Sequence, residues 1–146
     1  MSSKAAKVHF KLQQAGGYPP VAVESVWATA GNGEEDFVLD NIPFFARDAT
    51  LGDLVQVQAR EGNRWFTSVI TPSLNSLVRA VFFDPSHRAR VENALQALGC
   101  STEYLSQYTL LAINIPATTD LDGVRSRLER EARSDILDYE EPILRQ

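Results

Sequence analysis

The chain is poor in the residues that build metal clusters and disulfide frameworks. Across 146 residues it has one cysteine (Cys100), two histidines (His9 and His87) and one methionine. These are too few for a structural zinc set, and a lone cysteine cannot form an internal disulfide. No run approaches the roughly 18 to 20 apolar residues that span a bilayer. The start, Met1 to Lys7, has no apolar stretch of the signal-peptide kind, so the expected address is the cytoplasm, with no membrane partner. Basic residues are also short, 14 against 19 acidic ones for a net charge of −5. That balance argues against a binder of phosphate backbones, and no nucleic-acid partner is expected. G-x-x-x-x-G-K-S/T, G-x-G-x-x-G and H-E-x-x-H are all absent. Nothing in the sequence assigns a catalytic residue, a metal or a cofactor.

What is present is an ordinary globular composition, 44% hydrophobic and 23% charged, distributed in two different rhythms. Residues 1–73 carry 6 basic and 8 acidic side chains and residues 74–146 carry 8 and 11, so the acidity is general and not a tail. The first half is broken by Gly, Pro or Asn every eight to twelve residues. Val8, Phe10 and Leu12 alternate with His9 and Lys11, Val21 to Thr29 and Asp36 to Asn41 flank a Gly31-Asn32-Gly33 turn, and Leu54 to Gln58 turns through Glu61-Gly62-Asn63 into Arg64 to Thr71. Five short strands of this kind predict a small SH3-like β-barrel over residues 1–74.

The second half, residues 75–146, reads β-α-β-β-α-β, the ferredoxin-like order, so the fold class is α+β. Leu77 to Phe83 is a strand, and Asp84 with Pro85 opens a helix striped by Val91, Leu95 and Leu98 that stops at Gly99. Strands follow at Ser101 to Ser106 and Thr109 to Ile115. Thr119 or Asp120 caps a second helix with Leu121, Val124, Leu128 and Ala132 on one face. Arg125–Glu129 and Arg127–Glu131 pairs are expected on its other face, and Ile136 to Glu140 is the last strand. Each half is small for a lone core, so the two are expected to pack as one compact body.

Three groups of residues are candidates for function. Asp40, Asn41, Phe44 and Phe45 form the first, because two adjacent aromatics cannot face one core from an extended segment. They are expected to seal the two halves against each other, with Asp40 and Asn41 bonding the turn backbone. On the second sheet, period two separates Val78, Ala80 and Phe82 from Leu77, Arg79, Val81 and Phe83, and puts Arg79 on the face shared with Asn114. With Glu103 or a carboxylate of Asp138 to Glu141 in reach, that face is a candidate for a small anionic ligand, or for a buried salt bridge. The third group, Asp138, Tyr139, Glu140 and Glu141, reads as a solvated acidic edge that suits a basic protein partner. Cys100 follows a helix C-terminus, where the dipole opposes a thiolate.

Gly17-Tyr18-Pro19-Pro20, Glu24-Ser25-Val26-Trp27, Leu39 to Ala46, Gly52-Asp53 and Leu98-Gly99-Cys100 together resemble a bacterial family of short proteins of unknown function, from about Val8 to Glu141. The resemblance implies a soluble bacterial protein and transfers no catalytic role. A weaker similarity, of fold only, is to ACT-type modules. It implies amino-acid binding near the loop Asp84-Pro85-Ser86-His87, where Ser86 replaces the glycine of that pattern. The expected function is a non-enzymatic protein-binding module, an immunity- or antitoxin-like neutraliser of a basic effector. The alternative is an ACT-like regulator sensing a small ligand, and an enzyme using Asp40, Asp53 or Tyr139 to Glu141 comes third. Oligomeric state is not readable from the sequence.

Overall fold

The computed structural model describes residues 5–146. The chain divides between Ser73 and Leu74 into two compact units, each with its own sheet and core.

The first unit holds β1 (Ala5–Lys11), β2 (Val23–Ala30), β3 (Asp36–Leu39), β4 (Leu54–Arg60) and β5 (Asn63–Thr71). They form a closed barrel in chain order. Consecutive strands are antiparallel, whereas β5 pairs with β1 in parallel. Parity dictates this: after four reversals the fifth strand runs the same way as the first. Alternation sends Val8, Phe10, Val26, Ala28, Phe37, Leu39, Val55 and Val57 into the interior. Phe10 stacks on Phe66 there, ring centroids 4.7 Å apart. Closure gives each barrel strand a neighbour on both sides, so among the described residues none is an open edge. The β4–β5 turn places Glu61 at φ 53° and Gly62 at φ 80°, the left-handed pair that a two-residue hairpin of matching twist requires.

The second unit holds β6 (Ser76–Phe82), a 3-10 turn (Pro85–His87), α1 (Arg88–Ala97), β7 (Ser101–Leu105), β8 (Leu110–Ile115), α2 (Leu121–Arg133) and β9 (Leu137–Ile143). The sheet is antiparallel in the order β7-β8-β6-β9. All six residues of β8 are buried, as a central strand covered on both faces requires. Val78, Ala80, Phe82, Leu111, Ile113 and Ile115 share a core with Val91 and Leu95 of α1 and Val124 and Leu128 of α2. Each fully buried aliphatic side chain contributes roughly 1.5–3 kcal/mol. Gly99 ends α1 at φ 108°, and a Cβ there would lie 2.5 Å from the Thr119 hydroxyl, so only glycine fits.

Several local expectations are corrected. Asp84 caps the 3-10 turn, accepting from the Ser86 N–H at 2.9 Å, and α1 begins at Arg88. Asp120 occupies the N-cap of α2 without a side-chain cap bond. Arg125 does not pair with Glu129. It reaches across to Glu141 on β9 at 2.7 Å, while Glu129 meets Arg133 at 3.8 Å. Glu131, expected on the face of α2 away from the apolar stripe, is buried. It takes two hydrogen bonds from Arg90 of α1 at 2.9 and 3.0 Å. Spacing along one helix could find the Arg127–Glu131 contact, which is present at 3.7 Å, but not the cross-helix pair.

Candidate functional site

Register brings Arg79 into a transverse row on the face of the second sheet opposite the helices. Glu103 of β7 faces Ala112 of β8, Ala112 faces Arg79 of β6, and Arg79 faces Glu140 of β9. The Arg79 side chain is 1% exposed and donates from Nε to Glu140 Oε1 at 3.0 Å. A guanidinium this deep requires such a carboxylate, because a buried charge left unpaired is costly. One step along the strands, Asn114 lies between Ser101 and Leu77. It is 3% exposed, and its Oδ1 has no hydrogen-bond partner.

β9 divides the acidic run between two faces. Tyr139 and Glu141 turn toward α2, where the Tyr139 hydroxyl donates to Glu129 at 2.9 Å and Arg125 holds Glu141. Burial, then the Glu129 hydrogen bond, pushes the Tyr139 hydroxyl above its ordinary range. Asp138 is exposed, and Glu140 belongs to Arg79. The freely solvated acidic edge expected from the sequence is thus corrected: Glu140 and Glu141 are bound by arginines. The register slip opposite Leu77 and Arg79 falls at Glu141-Pro142, a bulge on an edge strand where a residue without an N–H is tolerated.

In the barrel unit, the loop containing Phe44 and Phe45 is irregular and not extended. Phe45 is buried and meets Tyr18 edge-on at 6.1 Å between centroids, and Phe44 is half-buried. Asp40 is exposed. The loop backbone is held from β2 by Glu24, whose carboxylate accepts the N–H groups of Phe44, Phe45 and Ala46 at 2.6, 3.0 and 2.8 Å. Asp53 does the same nearby, accepting from Thr50 at 3.0 Å and Ser73 at 2.8 Å. Sequence reasoning missed Glu24 as an anchor. Its only signal is parity: Glu24 falls on the inward side of β2 with Val26 and Ala28, opposite Phe10, where a carboxylate needs donors.

A cleft of about 280 Å³ lies at the barrel where the β2–β3 loop approaches the β4–β5 turn, lined by Glu34, Glu35, Val57, Ala59, Gly62, Asn63 and Arg64. The acidic loop is ordered: Val57 donates to the Glu35 carbonyl at 2.8 Å and Gly33 donates to Asp36 at 2.5 Å. Arg64 lies over the Phe37 ring at 5.1 Å. Cys100 is buried and its thiol is pushed up to about 11 by desolvation, so it stays protonated and non-nucleophilic near neutral pH.

These two sheets, of five and four strands, and two helices define a mixed α+β protein. The same fold occurs in the novel crystal structure of a hypothetical protein from Neisseria gonorrhoeae. That structure matches with a TM-score of 0.77, covering 100% of this chain and 99% of that one at 19% sequence identity. The chain belongs to the family described as a domain of unknown function (DUF4265), whose profile matches residues 24–139. No curated protein matches the sequence. No helix among the described residues is long and apolar enough to cross a membrane.

Proposed function

We propose that this protein is a non-enzymatic protein-binding module that neutralises a basic partner, in the manner of an immunity protein or antitoxin of the bacterial cytoplasm. The observation that carries the reading is the barrel cleft. Glu34 and Glu35 are exposed there and form no ion pair among the described residues, and Arg64 is drawn onto Phe37. Val57 and Ala59 offer an aliphatic floor for the stem of a lysine or arginine whose head meets the two carboxylates. Fixed, complementary charge of this kind speeds encounter and selects the partner. The barrel closed in chain order supports an SH3-like reading of the first unit, and β8 lying between β6 and β7 supports a ferredoxin-like reading of the second.

The test is an NMR titration of the labelled protein with an oligo-arginine peptide at low salt, repeated on the Glu34→Gln/Glu35→Gln variant. Saturable shifts centred on Glu34, Glu35, Gly62 and Asn63 that vanish in the variant support the reading. Shifts of equal size in both proteins, or no saturable binding, overturn it.

A second reading, an ACT-like regulator binding a small ligand, is favoured by the buried, unpartnered Oδ1 of Asn114 beside the Arg79 row. A hydroxyl or amide donor from a ligand would satisfy that oxygen. A thermal-shift screen of amino acids and small carboxylates decides, since a ligand at 100 times its Kd adds about 2.7 kcal/mol. No shift with any compound removes this reading.

A further inference from the structure

The outward side of the barrel strands β2, β1, β5 and β4 combines aromatic rings with cations and carries no carboxylate. Both tryptophans of the chain lie on it. Lys7 faces Trp27, His9 faces Ser25 on one side and Trp65 on the other, and Lys11 faces Val23. On the far side of β5, Gln58 faces Trp65. Inward neighbours Val8, Phe10, Val26 and Ala28 fill the core, so alternation fixes the outward set.

Trp27 is 46% exposed, far more than packing requires. The Lys7 ammonium sits 5.0 Å from its centroid and the Arg60 guanidinium 5.0 Å from that of Trp65. His9 tilts against Trp65 at 5.5 Å and shares a 2.7 Å hydrogen bond with Ser25. Lys7, Lys11 and Arg60 form no ion pair among the described residues. A net charge of −5 is an average over the whole chain, and this face departs from it.

We propose that the β2-β1-β5-β4 face of the barrel binds single-stranded nucleic acid, with Trp27 and Trp65 as stacking platforms and Lys7, Lys11 and Arg60 as phosphate contacts. The two rings stand two strands apart and two residues along, about 12 Å by sheet spacing. That separation suits bases of one extended strand. Stacking tolerates any base because every base has a π-face, and cations parked on rings can be transferred to phosphates without breaking an ion pair. An acidic peptide could use the cations but gives no reason for an exposed indole at Trp27 and a half-buried one at Trp65 at this spacing. A rigid duplex offers no unstacked base.

Fluorescence anisotropy with a labelled oligo-dT of about 12 nucleotides, within the usual site sizes for small barrels, tests the proposal on the full chain. Binding is expected to weaken with salt at a log–log slope of about −2 for three phosphate contacts on a single strand. Trp27→Ala should lose about tenfold in affinity and Trp27→Phe much less. Lys7→Gln/Lys11→Gln should weaken binding and flatten the salt slope, with circular dichroism confirming the fold of each variant. The proposal is overturned if the oligonucleotide does not bind at low salt, if poly-glutamate of equal charge binds as tightly, or if duplex DNA is preferred. It is overturned equally if well-folded Trp27→Ala binds like the parent.

Discussion

The two units handle positive charge in opposite ways. In the barrel, cations rest on aromatic rings: Lys7 on Trp27, Arg60 on Trp65 and Arg64 on Phe37. In the second unit they rest on carboxylates: Arg79 on Glu140, Arg88 on Glu92, Arg90 on Glu131 and Arg125 on Glu141. Even Arg88, which also lies over Tyr104 at 4.8 Å, keeps its acidic partner. A guanidinium forked onto a carboxylate is committed to structure, whereas a cation on a ring stays available to an incoming anion. Carboxylates divide correspondingly. In the barrel Glu24 and Asp53 accept backbone N–H groups, and in the second unit the buried acids accept from arginines.

The largest effect expected on this comparison comes from Glu24. Glu24→Ala removes the acceptor of three amides at once, and with charge-assisted bonds at the low end of about 1.5–3 kcal/mol each the loss should reach about 4.5 kcal/mol. Glu24→Arg should be no better. Hydrogen exchange at the Phe44, Phe45 and Ala46 amides gives the local readout. If their protection survives the alanine variant, the carboxylate is not what holds the loop.

Glu140 comes next. Glu140→Gln withdraws the carboxylate from a guanidinium that is 1% exposed, and breaking such a pair from one side costs roughly 3 kcal/mol. The lower end of the range applies because Glu140 itself is 36% exposed. Arg79→Met removes the buried charge outright and should cost less, which denaturant midpoints of the two variants would show. A larger loss for Arg79→Met would mean that the arginine matters for its other contacts more than for this pair.

How legible these features were depends on whether a feature is periodic. Alternation put Val78, Ala80 and Phe82 on one face of β6 and Arg79 with Asn114 on the other, and the register agrees. Gly99 and Gly62 announced themselves through left-handed conformations that glycine tolerates easily. Glu24, Glu131 and Arg125 did not, since each acts on a partner 16 to 41 residues away, a separation that carries no local pattern. The basic face was hidden for a related reason. Lys7, Arg60 and the two tryptophans come from β1, β4, β2 and β5, and only barrel closure gathers them.

Acid should separate the two units more gently. The Arg90 hydrogen bonds, opposed by burial, hold the Glu131 carboxyl below its ordinary value. A carboxyl so lowered contributes its stability above the ordinary carboxylate range and loses it as pH falls through the depressed folded value. With Arg90 half exposed, the pair is worth about 1–2 kcal/mol, between surface and buried cases. Glu131→Gln should therefore lower stability near neutrality and flatten its decline below about pH 4. The cation–ring contacts of the barrel contain no carboxyl and should not follow that decline. An unchanged acid limb in Glu131→Gln would remove the cross-helix pair from the account of stability.

The smallest effect tests the distinction at the surface. Lys7→Met takes the ammonium off an indole that is 46% exposed and should cost about 0.5 kcal/mol, the low end for such contacts. Its counterpart in the second unit, Arg133→Met, breaks an ion pair at 3.8 Å between side chains 73% and 52% exposed, for which about 0–0.3 kcal/mol is expected. Salt separates them further, since about 1 M ionic strength shortens the screening length to about 3 Å and erases the ion pair. The ring contact keeps its dispersion and its apolar lysine stem. Measured at low and high salt, the Lys7 loss should persist and the Arg133 loss should fall to zero. Equal salt sensitivity would mean that Lys7 is held by charge alone, as Arg133 is.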